Sequence, residues 1–153
     1  MIPAILALLG LWMFRVRAVC GGLYPDDSGE TLAAAWNLDI AHPPGDPLYA
    51  ILGRFWLDFG PAGSLAYRGN LLSGALSLAA AYLLYRLTQV GASHEYRPSS
   101  EKRKNRAWSW RPELICGFLA AGLAVLAPTF CLQAAGAKGG VYVLNVLLGA
   151  AAF

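Results

Sequence analysis

Charge is scarce in this chain. Of its 153 residues only 14% are Asp, Glu, Lys or Arg, while 57% are hydrophobic and the mean hydropathy is +0.47. A water-soluble domain carries roughly a quarter charged residues and about half apolar ones, so this deficit predicts a chain whose solvent is partly lipid. Signatures of metal and disulfide chemistry are missing too. Cys20, Cys116 and Cys131 are odd in number, far apart, and show neither CxxC nor CxxH spacing, which leaves no zinc knuckle and no disulfide framework. Small apolar residues within membrane helices is their simplest role. No Lys or Arg precedes the first apolar run, as a secretory leader requires. Arg17-Ala18-Val19 also lacks the small residue that a lipoprotein cleavage site places before its cysteine. No glycine-rich phosphate loop is present to hold a nucleotide. The net charge of +3 is modest and unevenly placed, a poor footprint for nucleic acid.

What is present is a set of apolar stretches. About 20 mostly apolar residues cross a ~30 Å hydrocarbon layer. Residues 2–20 form the first such stretch, interrupted by Arg15 and Arg17. Residues 65–90 form a second, with Arg68 and Arg86 near its ends, where long cationic side chains reach the interfaces. Within it Asn70, Ser73 and Ser77 recur at helical spacing, so they share one face, and in lipid that face should turn towards other helices. Residues 114–136 form a third stretch, in which Pro128 predicts a kink. A fourth begins at Val141 and stops at Phe153 in mid-pattern, as a truncated span would. The expectation is an all-α, multi-pass transmembrane protein, with residues 1–153 forming one transmembrane domain.

The loops predict its orientation. Arg86, Arg97, Lys102, Arg103, Lys104, Arg106 and Arg111 face only Glu95 and Glu101, so the basic loop over residues 91–112 should stay in the cytoplasm. The loop over residues 21–64 carries Asp26, Asp27, Glu30, Asp39, Asp46 and Asp58 against Arg54 alone, and should lie on the far side of a bacterial inner membrane or the endoplasmic reticulum. Arg15 and Arg17, near the outer end of the first stretch, run against this scheme.

The acidic loop holds the densest chemistry in the chain, DDSGETLAAAWNLDIAHPPGDPLY over residues 26–49. One reading is purely architectural. Asp27 at an N-cap with Glu30 three residues on makes a capping-box variant before a helix-favouring run, and His42-Pro43-Pro44-Gly45 would end that helix. A second short helix fits residues 47–59, with Pro47 in its first turn. Its stripe of Leu48, Ile51, Leu52, Phe55, Trp56 and Phe59 would lie in the membrane interface. The other reading is chemical. Asp26 and Asp27 are adjacent like charges, a cap needs only one of them, and such pairs tend to raise one pKa into the range of a general base. His42 exchanges protons near neutral pH or donates to a phosphate.

Three segments together resemble a known family: DSGETLAAAWNLDIAHPPGDPLYAILGRF, AYRGNLLSGALSLAAAYLLYRL and APTFCLQAAGAKGGVYVLN. They look like the amino-terminal part of a membrane family long catalogued as a domain of unknown function, whose animal member is a transmembrane protein O-mannosyltransferase. That family is similar to the GT-C glycosyltransferases, multi-pass enzymes that take a sugar from a polyprenyl-phosphate carrier. The resemblance implies a lipid-linked sugar donor, a protein or glycan acceptor and the lipid bilayer as partners, with no identified cofactor and no assignment for a divalent metal. It implies an essential acidic residue in the first extracytoplasmic loop, carried onto Asp27, with Asp26 and Glu30 as neighbouring candidates. Its HPPG motif falls on His42 to Gly45, and its later motifs fall on Arg68 and Asn70 and on Gln133, Tyr142 and Asn145. The chain departs from the family pattern at Pro25-Asp26, where a small pair is usual, and at Asp46, where an aromatic is common. It departs again at Lys138-Gly139-Gly140, where an acidic residue often stands; Lys138 would instead contact a phosphate. The expected function is a membrane glycosyltransferase of the O-mannosyltransferase type. The alternatives are a noncatalytic multi-pass scaffold or transporter piece and a small membrane-anchored interaction protein.

Overall fold

The structure, a computed structural model, describes residues 2–25, 27–42, 45–95 and 112–152. Asp26, the Pro43-Pro44 pair and most of the basic loop therefore lie outside the described residues. Those described form helices and their connections: α1 (Ile2–Ala18), α2 (Ser28–Asn37), α3 (Pro47–Phe59), α4 (Leu65–Glu95), α5 (Pro112–Leu126), α6 (Pro128–Gln133) and α7 (Ala137–Ala151). The helix α4 is the axis of the fold, flanked by α7, α5 and α1. Its segment Leu65–Gly91, 27 residues with a mean hydropathy of 1.3, is long and apolar enough to cross a membrane. It is the one described helix that meets both conditions, while Ile115–Ala124 and Ala137–Ala151 are apolar but shorter. The crossing of α4 is thus supported by length and composition, and the expected number of spans is not.

The polar stripe of α4 turns inward as its spacing requires. Asn70, Ser73 and Ser77 are all fully buried, and the Ser77 hydroxyl satisfies itself by donating to the Gly74 carbonyl at 2.7 Å. The amino-terminal turn of α7 comes close to this face because it carries glycine. A Cβ at Gly140 would lie 2.4 Å from Ser73 Oγ and 2.5 Å from the Tyr49 hydroxyl, and one at Gly139 would lie 1.7 Å from the Gln133 carbonyl oxygen. These two glycines also explain why α7 begins at Ala137 rather than at the expected Val141. Their weak helix propensity hides a turn that packing stabilises.

Proline positions differ from expectation in two places. The stretch 114–136 is two helices, not one kinked span. Ala127 takes an extended conformation (φ −55°, ψ 133°), as the residue before a proline prefers, and Pro128 then opens α6. The helix α2, conversely, ends well before its prolines. Leu38 adopts the left-handed conformation (φ 55°) and the Asp39 N–H reaches back to the Ala34 carbonyl at 2.9 Å, a Schellman-type closure.

The expected apolar stripe of α3 is divided between two faces. Leu52 and Trp56 pack towards the core beside buried Tyr49, Ala50, Gly53 and Leu57. Leu48, Ile51, Phe55 and Phe59 are exposed. Arg15 also proves less anomalous than it looks in the sequence, because it is only 2% exposed and its guanidinium lies 6.0 Å from the Phe130 ring. A charge inside the helix bundle avoids the cost of facing lipid.

Candidate active site

The site forms where the amino-terminal ends of α2 and α7 meet. Ser28, fully buried in the first turn of α2, accepts a hydrogen bond from the Lys138 backbone N–H at 3.2 Å. The preceding amide of α7, Ala137 N–H, donates to Asn70 Oδ1 at 2.9 Å. Asn70 Nδ2 in turn donates to the Cys20 and Gly22 carbonyls at 2.9 and 2.8 Å. One buried amide thus fixes the segment leaving α1, the start of α4 and the start of α7. Tyr49 of α3 adds a fourth element, its hydroxyl donating to the Ala137 carbonyl at 2.9 Å. Burial pushes the Tyr49 phenol up to about 12, so it remains a donor throughout the physiological range.

On this frame stand Asp27, Glu30, His42 and Lys138. Asp27 occupies the N-cap position of α2, but its side chain makes no capping hydrogen bond. Its Oδ2 instead lies 3.6 Å from His42 Nε2 and 3.7 Å from Lys138 Nζ. Glu30 does not reach back to close a capping box either. Its two oxygens grip His42, Oε1 accepting the backbone N–H at 2.6 Å and Oε2 lying 2.7 Å from ring Nδ1. Those bonds, the backbone one foremost, hold the Glu30 carboxyl below its ordinary pKa. The expected capping box is therefore absent, for a physical reason: both carboxylates have cationic or hydrogen-bond-donating partners within reach. Lys138 is largely sheltered, with 13% of its side chain exposed, whereas Asp27 is 46% and His42 44% exposed. An accessible carboxylate thus stands between a sheltered cation and an accessible imidazole, an arrangement suited to proton transfer beside an anionic group.

The other sequence candidates fall around this cluster. Arg68 lies in the first turn of α4, where its carbonyl accepts the Trp56 indole N–H at 2.9 Å and its own Nε is buried without a hydrogen-bond partner. Asn70 is enclosed by backbone groups on both sides of its amide, so it holds the frame and is not presented to a ligand. Tyr142, 49% exposed, and exposed Asn145 continue the Lys138 face of α7 by one and two turns. Gln133 stands behind Gly139 through its carbonyl. Among the described residues no three His, Cys, Asp or Glu side chains converge on one metal position. Ser28 and Tyr49 were not expected. Their partners are 110 and 88 residues away, and no local pattern marks such pairs.

Comparison with known proteins places the chain in a family. The family described as the protein O-mannosyl-transferase TMEM260 N-terminal domain matches residues 27–153, beginning at Asp27 itself. The protein O-mannosyl-transferase TMEM260 of Mus musculus is 43% identical over 79 residues, which are 51% of this chain and 11% of the mouse protein. The chain thus matches a small part of the length of that relative. No solved structure matches it. With the match extending from Asp27 to Phe153, the chain belongs to the family of the protein O-mannosyl-transferase TMEM260 N-terminal domain.

Proposed function

We propose that the protein is a membrane glycosyltransferase that moves a sugar, mannose by analogy with its mouse relative, from a polyprenyl-phosphate carrier to a hydroxyl of an extracytoplasmic protein or glycan. One observation carries this reading: Asp27 is an accessible carboxylate with no capping bond, bracketed by His42 and by the sheltered ammonium of Lys138. Asp27 takes the proton of the acceptor hydroxyl as the acceptor oxygen attacks the anomeric carbon. The bond from that carbon to the phosphate oxygen breaks, and the lipid phosphate leaves with the electron pair. Lys138 and Arg68 supply positive charge towards the leaving phosphate, with Tyr142 further along the same face of α7. The donor's hydrocarbon chain needs apolar surface. A cavity of about 190 Å³ lined by Leu8, Leu11, Tyr82, Tyr85 and Phe118 of α1, α4 and α5 offers it.

Membranes carrying the full-length protein, supplied with polyprenyl-phosphate mannose and an unglycosylated acceptor, should transfer the sugar. They should not do so from a nucleotide sugar when the lipid-linked pool is depleted. Transfer from the nucleotide sugar alone would overturn the donor assignment.

The orientation belongs to the same proposal. Multi-pass insertion with residues 21–64 outside and residues 91–112 in the cytoplasm follows the distribution of Lys and Arg. A cysteine placed at Ser64 should react with a membrane-impermeant reagent in intact cells, and one at Ser100 should react only after permeabilisation. The reverse pattern would put the carboxylates on the wrong side for an extracytoplasmic acceptor.

A further inference from the structure

Glu30 lies within the site but its carboxylate is engaged by His42, and the transfer step has no direct use for it. Its carboxylate spans two donors of a single residue, the backbone N–H and ring Nδ1 of His42, at 2.6 and 2.7 Å. A carboxylate held ionised by these bonds accepts and does not donate, so Nδ1 must carry the hydrogen. The tautomer of a histidine is set by the partner of one nitrogen, which leaves Nε2 as the ring position that gains or loses a proton. Nε2 lies 3.6 Å from Asp27 Oδ2, an ion-pair separation longer than a hydrogen bond, so proton transfer requires the two side chains to close to hydrogen-bond distance.

We infer that Glu30 is a positioning residue that makes His42 the proton acceptor for Asp27, giving a Glu30–His42–Asp27 relay. The inference rests on the transferase reading of the site. In the step itself Asp27 takes the proton from the acceptor hydroxyl and becomes a carboxylic acid. Oδ2–H then gives that proton to Nε2 of neutral His42, regenerating the Asp27 carboxylate for the next turnover. The resulting imidazolium lies between two carboxylates, and its partly exposed ring releases the proton to water. The charged groups at the ring are Asp27 at the start of α2 and Glu30 in its first turn, and Lys138 of α7 lies against Asp27 and within electrostatic reach of Glu30. The arrangement has the logic of a carboxylate that orients a histidine towards a second group, with the second group here being another carboxylate.

The substitution Glu30→Gln tests the relay cleanly because the backbone fixes the orientation of the new amide. The His42 N–H requires the carbonyl oxygen of Gln, so the amide NH₂ must face Nδ1. Nδ1 then becomes an acceptor, the hydrogen moves to Nε2, and the relay is blocked while the loop stays tethered. With ¹⁵N-histidine labelling of the full-length protein in nanodiscs, His42→Gln identifies the His42 signal. At a pH where the ring is neutral, two-bond ¹H–¹⁵N spectra should show a protonated Nδ1 in the wild type and a protonated Nε2 in Glu30→Gln. In membranes carrying the full-length protein, kcat should fall by roughly 10²–10⁴-fold with little change in KM, the scale of a lost acid–base group.

A protonated Nε2 in the wild type would overturn the relay and leave the transferase reading standing, since the spectrum does not depend on turnover. Unchanged kcat in Glu30→Gln would also overturn it, even with the tautomer exchanged. A purely structural tether predicts an altered KM or lower yield with no exchange of tautomer, and that outcome counts against the relay too.

Discussion

Asp27→Asn should lower turnover by roughly 10²–10⁴-fold, the contribution of a positioned general base, with expression and membrane insertion near wild type. The substitution keeps the shape of the side chain and removes its ability to accept a proton. Two structural costs that would confuse the result are small here. Asn serves an N-cap about as well as Asp, and the Asp27 side chain makes no capping bond in any case. The approach of Lys138 at 3.7 Å pairs an ammonium 13% exposed with a carboxylate 46% exposed, and Asn can still turn its carbonyl oxygen towards that ammonium. Loss of rate with retained fold therefore reports chemistry. Asp26→Asn is the neighbouring control, with a smaller loss expected. Near-normal turnover of Asp27→Asn would leave this loop as architecture and send the search for a base elsewhere.

The second large effect concerns stability. Asn70→Asp should prevent the protein from reaching its native state, seen as loss of the folded peak on size exclusion in detergent and loss of a cooperative thermal transition. Oδ1 would still accept the Ala137 N–H, but the other oxygen would face the Cys20 and Gly22 carbonyls where the amide NH₂ now donates. The change replaces two hydrogen bonds by two repulsive contacts and adds a charge at a fully buried position. Leaving buried groups unsatisfied costs about 1–3 kcal/mol each, and more where a charge is involved, against a total stability of roughly 5–15 kcal/mol. Asn70→Ala, which leaves the same groups unpaired without adding charge, should be milder. A stable Asn70→Asp protein would show that these elements are held together by apolar packing alone.

Much of this organisation is legible in the sequence, and its limits have physical causes. The bounds of α3 follow from Pro47 at its first turn and Gly60 past its last, and the inward face of α4 follows from the spacing of Asn70, Ser73 and Ser77. Both are local patterns. The start of α7 is not local, because Gly139 and Gly140 weaken a helix in isolation and become useful only when Ser73, Tyr49 and Gln133 are pressed against them. The division of the α3 stripe is likewise set by tertiary packing, since an apolar periodicity identifies a helix without saying which of two greasy faces is covered. At the site, DSGE and HPPG mark Asp27, Glu30 and His42 as a group, but the sequence pattern suggested a capping box. What decided otherwise was His42, brought back 12 residues later with two donors that Glu30 meets at once. Lys138 stood out only as a departure from the family pattern, and nothing near it in the chain pointed to Asp27.

The hydrogen bond from Lys138 to Ser28 spans 110 residues, and this separation gives the site a schedule as well as a shape. At ~5–20 residues per second, a ribosome that has delivered Ser28 needs roughly 5–20 s more to deliver Lys138. During that interval the α2–α3 segment has left the ribosome without the helix that completes its far wall. Ala137, Lys138 and the glycine turn then arrive together, and one docking event supplies Asn70 with its acceptor role, Tyr49 with a carbonyl and Asp27 with a cation. Until that moment Asp27 lacks its Lys138 partner, so the pair forms only after both ends of the fold have been made.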